Sequence, residues 1–182
     1  MDALTCRVAL DSNAVSYLIE ALGAFPDPPR GDLAAEKIAL ARSFLYRSLE
    51  TVFCITPTVQ AEYSKISDQQ RVSDHASWAL QHLYRLSNPP NTAEIILRTH
   101  AINAYHGDVD DCRIVAECEA FEVDTFVTSD RKLRRAMTGL ATPLRIRSGQ
   151  QYWDDMAIAP GDSPTFAPVG EDPLGDATWW KV

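Results

Sequence analysis

Residues 6–22, CRVALDSNAVSYLIEAL, decide the architecture. The run from Thr5 to Leu10 reads as a short buried strand. Asp11, Ser12 and Asn13 interrupt it. Ala14, Val15, Leu18, Ile19 and Leu22 then recur at the spacing of one helix face. A buried strand thus hands over to a helix through a carboxylate. Asp11 can be a helix cap, because Asp readily accepts the free N–H groups of a first turn. It can equally be one corner of a metal site.

Outward from this unit the same alternation repeats. GAFPDPPRG (23–31) is a turn-rich break. From Asp32, the apolar set Leu33, Ile38, Leu40, Ala41, Phe44, Leu45 and Leu49 marks a second helix. TVFCIT (51–56) is a second strand, after which Thr56 can cap a helix with Pro57 at its first position. That helix carries TVQAEYSKI. Another helix is expected from about Asp68 to Leu86, ended by NPP. NTAEIILRTHAINAYHG (91–107) reads as helix, with a strand at Glu94–Leu97 as the alternative. Asp110 or Asp111 can cap CRIVAECEAF. VDTFVT is a third strand, DRKLRRAM a short helix, LRIRS a fourth strand and GQQYWDDM a last helix. Strands alternating with helices imply an α/β fold around a mainly parallel sheet. Residues 1–158 form the expected domain. Residues 159–182, rich in Pro and Gly, read as an acidic tail, extended over the surface or disordered.

The bulk numbers fit this picture. A chain of 182 residues with 46% hydrophobic and 23% charged residues has the composition of one globular domain. No apolar run is long enough to span a membrane. The first residues, MDALTCRVAL, lack the pattern of a signal peptide. Cys6, Cys54, Cys112 and Cys118 show no CxxC spacing, so reduced thiols in a cytoplasmic protein are expected. The net charge of −8 argues against a nucleic-acid partner. Its distribution weakens that argument, because Asp154, Asp155, Asp162, Glu171, Asp172 and Asp176 face only Lys181 in the last stretch.

In a parallel α/β sheet, sites form beyond the carboxyl ends of the strands. Four acids belong to that zone: Asp11 after strand one, Glu62 in the helix after strand two, Asp111 at the start of a later helix, and Asp130 after the third strand. Asp108 and Asp110 compete with Asp111 for the third place. Clustered carboxylates repel and resist ionising together. A hard divalent cation resolves this, since Mg²⁺ takes oxygen ligands and keeps several waters. Such an ion lowers the pKa of a bound water and supports phosphoryl chemistry.

The stretches VALDSNAVSYLI, ITPTVQAEY, DDCRIVAECEAFEVDTFVTSDRKL and LRIRSGQQYWDDM occur in the order of a PIN domain and resemble the ribonuclease family that includes VapC-type toxins. The resemblance covers residues 4–156. It implies a three-layer α/β/α sandwich, Mg²⁺ or Mn²⁺ as cofactor, and cleavage of single-stranded RNA. Carried over residue by residue, it assigns Asp11, Glu62, Asp111 and Asp130 as catalytic metal ligands. Thr128 is their polar neighbour, and Ser12 or Asn13 helps hold a water or the metal. An antitoxin partner and a homodimer are further implications. Two departures from a compact toxin are the long region Gly23–Glu50 and the extra tail.

Arg131, Lys132, Arg134 and Arg135, with Arg145 and Arg147, offer a phosphate-binding patch beside Asp130, or else a solvated face. His75, His82, His100 and His106 lack ligand spacing; His100 and His106 near Cys112 do not make a zinc site. Trp78, Leu80 and Tyr84 read as core or interface, and Trp179 and Trp180 as side chains that dock on the domain or on a partner. The expected function is a metal-dependent endoribonuclease in which metal-activated water attacks the phosphodiester. The alternative is a non-catalytic PIN-like module that binds RNA or protein. A receiver-like phospho-acceptor role for Asp11 lacks a second acid two residues on.

Overall fold

A computed structural model describes residues 5–23, 27–63, 77–79, 81–168 and 173–182. Among the described residues, five strands form one sheet: β1 (Cys6–Leu10), β2 (Thr51–Ile55), β3 (Tyr84–Arg85), β4 (Thr125–Val127) and β5 (Arg145–Arg147). Their order is β3-β2-β1-β4-β5, and every pairing is parallel. On the central strand, Val8 lies opposite Phe53 on one side and Thr125 on the other. Val8, Ala9 and Leu10 are completely buried. Burial on both faces is what a parallel sheet covered by helices requires.

The helices are α1 (Ser12–Gly23), α2 (Ala34–Tyr46), α3 (Pro57–Tyr63), α4 (Thr92–Asn103), α5 (Val109–Ala120), α6 (Arg131–Ala136), α7 (Gly149–Asp155) and the short α8 (Pro173–Asp176). α1 buries Ala14, Val15, Leu18 and Ala21, the stripe its spacing predicts. α2 packs on α1 and α7, while α5 packs on α4 and α3. The result is the expected three-layer α/β/α sandwich.

Local differences from the sequence reading have local causes. α2 ends at Tyr46 rather than reaching Leu49, which is 79% exposed. The chain must turn there to enter β2, and Thr51 N donates to the Ser48 carbonyl. α5 is capped by Asp108, not by Asp110 or Asp111. The Asp108 carboxylate accepts from Asp110 N at 3.0 Å and Asp111 N at 3.2 Å, so both of those acids fall in the first helical turn. Asn91 caps α4 by accepting from Glu94 N, which removes the strand alternative at Glu94–Leu97.

Most of the helix expected from Asp68 to Leu86 lies outside the described residues. Its end is not helical: Tyr84 and Arg85 pair with Cys54 and Ile55. Leu86 N extends the ladder by donating to the Ile55 carbonyl at 3.0 Å. The free edge of β2 thereby gains a partner. Tyr84 on this edge strand is 60% exposed, whereas Trp78 packs 5.6 Å from Phe44. Leu80 and His75 lie outside the described residues.

The described part of the tail is docked. Leu174, Ala177 and Trp180 are buried against Leu45 and Tyr46 at the end of α2. Arg42 donates to the carbonyls of Trp179 and Lys181 at 3.0 and 3.1 Å, and Phe166 N donates to Leu45 O at 2.9 Å. Trp180 Nε1 is satisfied by Leu174 O, so its ring is buried without stranding a donor. Apolar surface at the end of α2, which the sandwich alone would leave open, explains why this Pro-rich segment is held. The four cysteines are free thiols. Among the described residues no helix is long and apolar enough to cross a membrane.

Candidate active site

All five strands point their carboxyl ends to one edge, and the strand order reverses about β1. The crevice between β1 and β4 is therefore the topological switch point, where α/β sheets bind ligands. Asp11 stands at its floor. Asp11 N donates to the Val127 carbonyl at 3.1 Å, which fixes the residue against the end of β4. Its carboxylate accepts from Ala14 N, and its carbonyl from Val15 N, so Asp11 does cap α1. The cap and the site are the same residue.

Thr128 follows β4 and is completely buried. Its N–H donates to Arg147 O at 2.8 Å, and its hydroxyl oxygen accepts from Asp130 N at 3.0 Å. The Thr128 hydroxyl also lies close enough to the Asp11 carboxylate to pull its pKa down. One threonine thus links two of the four acids. Asp130 caps α6 by accepting from Lys132 N and Leu133 N.

Asp111 is released for the crevice because Asp108 takes over the capping of α5. Asp111 Oδ2 lies 2.9 Å from His106 Nε2. One ligand atom each from His106, Asp111 and Asp130 lie within 4.8 Å of one another. Glu62, on α3, is half-buried and close enough for its charge to act on Asp11.

The electrostatics record this convergence. Burial pushes the Asp11 carboxyl up to about 6; the bonds from Thr128 and Ala14 pull it down, and the charges of Asp111 and Glu62 push it up again. Asp111 is also raised, first by burial, with His106 opposing and Asp108 and Asp130 adding to the rise. Carboxyls raised by burial and by each other are relieved by a cation. The donor set of carboxylate oxygens suits a hard divalent ion.

The supporting residues divide. Ser12 and Asn13 occupy the first turn of α1, half-buried and exposed respectively. Arg134 donates to the Thr128 carbonyl at 2.6 Å and so braces the β4–α6 turn. Arg147 pairs with Asp155. Arg131, Lys132, Arg135 and Arg145 are exposed. Arg131 and Arg134 line a polar cleft of about 210 Å³ with Ser129, Ser148, Gln150, Asp32 and Glu36. A larger cavity of about 610 Å³ lies between α4 and α5, around the Arg98–Glu119 ion pair, and holds none of the four acids.

His106 is the residue that sequence reasoning passed over. Its spacing to Cys112 is poor for a zinc site, and Cys112 Sγ donates to the His106 backbone carbonyl. The ring faces Asp111 instead. A usable signal existed in the GDVDD stretch directly after His106, where a cap turns the chain back on itself.

No family model matches the chain, and no curated protein matches it by sequence. Solved structures do. VapBC-1 from nontypeable Haemophilus influenzae aligns with a TM-score of 0.53 at 16% identity, covering 79% of this chain and 98% of that one. The fold is PIN-like. VapBC2 from Rickettsia felis, bound to a DNA fragment from the promoter, aligns at 0.47 and 15% identity over 78% of this chain and 98% of that chain. FitAcB from Neisseria gonorrhoeae aligns at 0.47 and 14%, over 78% and 97%. The acids gathered at β1 and β4 occupy the crevice of this PIN-like sheet.

Proposed function

We propose that this protein is a divalent-metal-dependent endoribonuclease and the toxin of a type II toxin–antitoxin pair. The observation that carries the reading is the convergence of Asp11, Glu62, Asp111 and Asp130 at the switch point of a PIN-like sheet. Mg²⁺ or Mn²⁺ is the cofactor that such oxygen donors favour. When bound, the ion supplies an acidified water and a counter-charge for the scissile phosphate.

The chain's own residues prepare the crevice for this. Asp11, Glu62, Asp111 and Asp130 hold the ion directly or through water. Thr128 fixes Asp130 by accepting from its N–H, and its hydroxyl lowers the Asp11 carboxyl beside it. Arg131 and Lys132, exposed beside Asp130, contact backbone phosphates and give affinity without sequence readout. An antitoxin protein covers the acid crevice, and a homodimer is the expected assembly. The likeness to VapBC-1 supports the antitoxin partner, and the homodimer rests on the resemblance of the sequence to the family.

The test is cleavage of a mixed single-stranded RNA pool with and without Mg²⁺ or Mn²⁺, using Asp11→Asn and Asp130→Asn as controls. Ion-dependent cleavage by the wild type, lost in both folded variants, is the expected result. No cleavage by the folded wild type with either ion removes the enzyme and leaves a non-catalytic RNA- or protein-binding module.

A further inference from the structure

The metal site proposed above is built from oxygen donors. His106 adds a nitrogen to it. The ring nitrogen Nε2 lies 2.9 Å from Asp111 Oδ2. With one oxygen each of Asp111 and Asp130, it forms a triangle no wider than 4.8 Å. The His106 side chain is only 11% exposed, so the ring is held in place rather than sampling solvent. Its backbone is held as well: His106 N donates to Ile102 O at the end of α4, and His106 O accepts from Cys112 Sγ.

Two neighbouring ligands of an octahedral ion with bonds of about 2.1 Å lie about 3 Å apart. The His106–Asp111 separation matches that edge. Carboxylate and water suit both Mg²⁺ and Mn²⁺, but an imidazole nitrogen is a softer donor that the hard, oxygen-seeking Mg²⁺ accepts less readily than a first-row transition ion does.

We infer that His106 is a direct nitrogen ligand of the metal site and tilts its selectivity from Mg²⁺ towards Mn²⁺ and other first-row transition ions. This rests on the reading of Asp11, Glu62, Asp111 and Asp130 as metal ligands. It makes His106 a selectivity residue in addition to the four acids.

The experiment loads the full chain with Mn²⁺ and records pulsed EPR, in which a directly bound imidazole modulates the echo through its ¹⁴N nucleus. The wild type should show ¹⁴N modulation, and His106→Gln, which offers an amide in its place, should lose it. In parallel, His106→Gln should weaken Mn²⁺ binding about tenfold and Mg²⁺ binding by less. Circular dichroism of the ion-free variant checks folding, and His106→Asn replaces it if the glutamine variant does not fold. Mn²⁺ that binds the wild type without ¹⁴N modulation, or modulation that survives in the variant, overturns the role of His106 and leaves the carboxylate site standing. A wild type that binds no Mn²⁺ overturns both.

Discussion

Two buried carboxylates separate what this fold needs from what its site needs. Glu117 in α5 is 1% exposed, and Asp11 at the end of β1 is 7% exposed. Glu117 is surrounded by donors. Thr58 N and Thr58 Oγ1 donate to it at 3.0 and 2.8 Å, and Arg113 Nε approaches to 3.2 Å. It ties α3 to α5 and its charge is matched. Asp11 also accepts hydrogen bonds, but its charged neighbours are Asp111 and Glu62. Burial is common to both acids, so burial does not mark the site. The sign of the neighbouring charge does. A buried acid among cations and donors stabilises the fold, while a buried acid among acids is held at a cost that a bound cation offsets.

The largest expected effect breaks the symmetry between them in activity. Asp11→Asn should lower metal-dependent RNA cleavage at least about a hundredfold, since metals supply several kcal/mol to such reactions. Glu117→Gln should leave the cleavage rate per folded molecule nearly unchanged. Both are read from initial rates on one RNA, normalised to the folded fraction. Comparable losses in the two variants would show that α3–α5 packing, rather than the acid set, limits activity.

Stability should run the other way. Glu117→Ala leaves the buried Thr58 N–H and hydroxyl without their acceptor, and should cost about 3 kcal/mol in urea unfolding. A loss under about 1 kcal/mol would mean that water satisfies those donors and that Glu117 is not the clamp between α3 and α5.

Asp11→Asn, in contrast, should stabilise the ion-free protein at neutral pH. The folded-state carboxyl is raised from an ordinary 3.8 to about 6, mainly by burial. Above about 6, Asp11 is ionised in both folded and unfolded chains, and the folded chain bears the desolvation cost. As pH falls from about 6 to 3.8, the folded state binds more protons than the unfolded one, so the wild type gains stability. Below 3.8 both states are protonated and this contribution stays constant. The difference between Asp11→Asn and wild type should therefore reach about 3 kcal/mol at pH 7 and vanish near pH 4. Urea midpoints across that range measure it. A gain that persists at pH 4 would assign the effect to something other than the buried charge.

The contrast between the two acids also explains what could be read from the sequence. Strands β1, β2 and β4 were legible because each is an apolar run closed by a polar residue and followed by a helical stripe, and β5 because Leu144, Ile146 and the arginines between and after them alternate before the next helix. The placement of the four acids at one edge was legible because parallel strands collect their carboxyl ends there. β3 was not, since two residues, Tyr84 and Arg85, carry no period, and their pairing depends on the free edge of β2. The role of Asp108 was hidden for a related reason. Three acids within GDVDD are equivalent as sequence, and only the backbone N–H groups of the first turn distinguish the cap from the residue it frees. His106 is five residues from Asp111, a separation with no helical meaning, so a turn had to be built before the pair existed. Trp180 and Leu174 lie in a segment whose apolar residues show no repeat, and they dock because Leu45 and Tyr46 offer a surface.

The smallest effect tests the link that distinguishes Asp11 from Glu117 most finely. Thr128→Val keeps the shape and removes the hydroxyl. Asp130 N then loses its acceptor and Asp11 loses one of its donors, which should cost about 1–2 kcal/mol at this buried position. The bond from Thr128 lowers the Asp11 carboxyl, so its removal should push that carboxyl further above about 6. The acid limb of the cleavage profile should accordingly move to higher pH in Thr128→Val, and activity at pH 8 should recover more of the wild-type rate than activity at pH 6. A uniform drop at every pH would instead mean that Thr128 acts only through the position of Asp130, and that Asp11 takes its orientation from the Ala14 N–H alone.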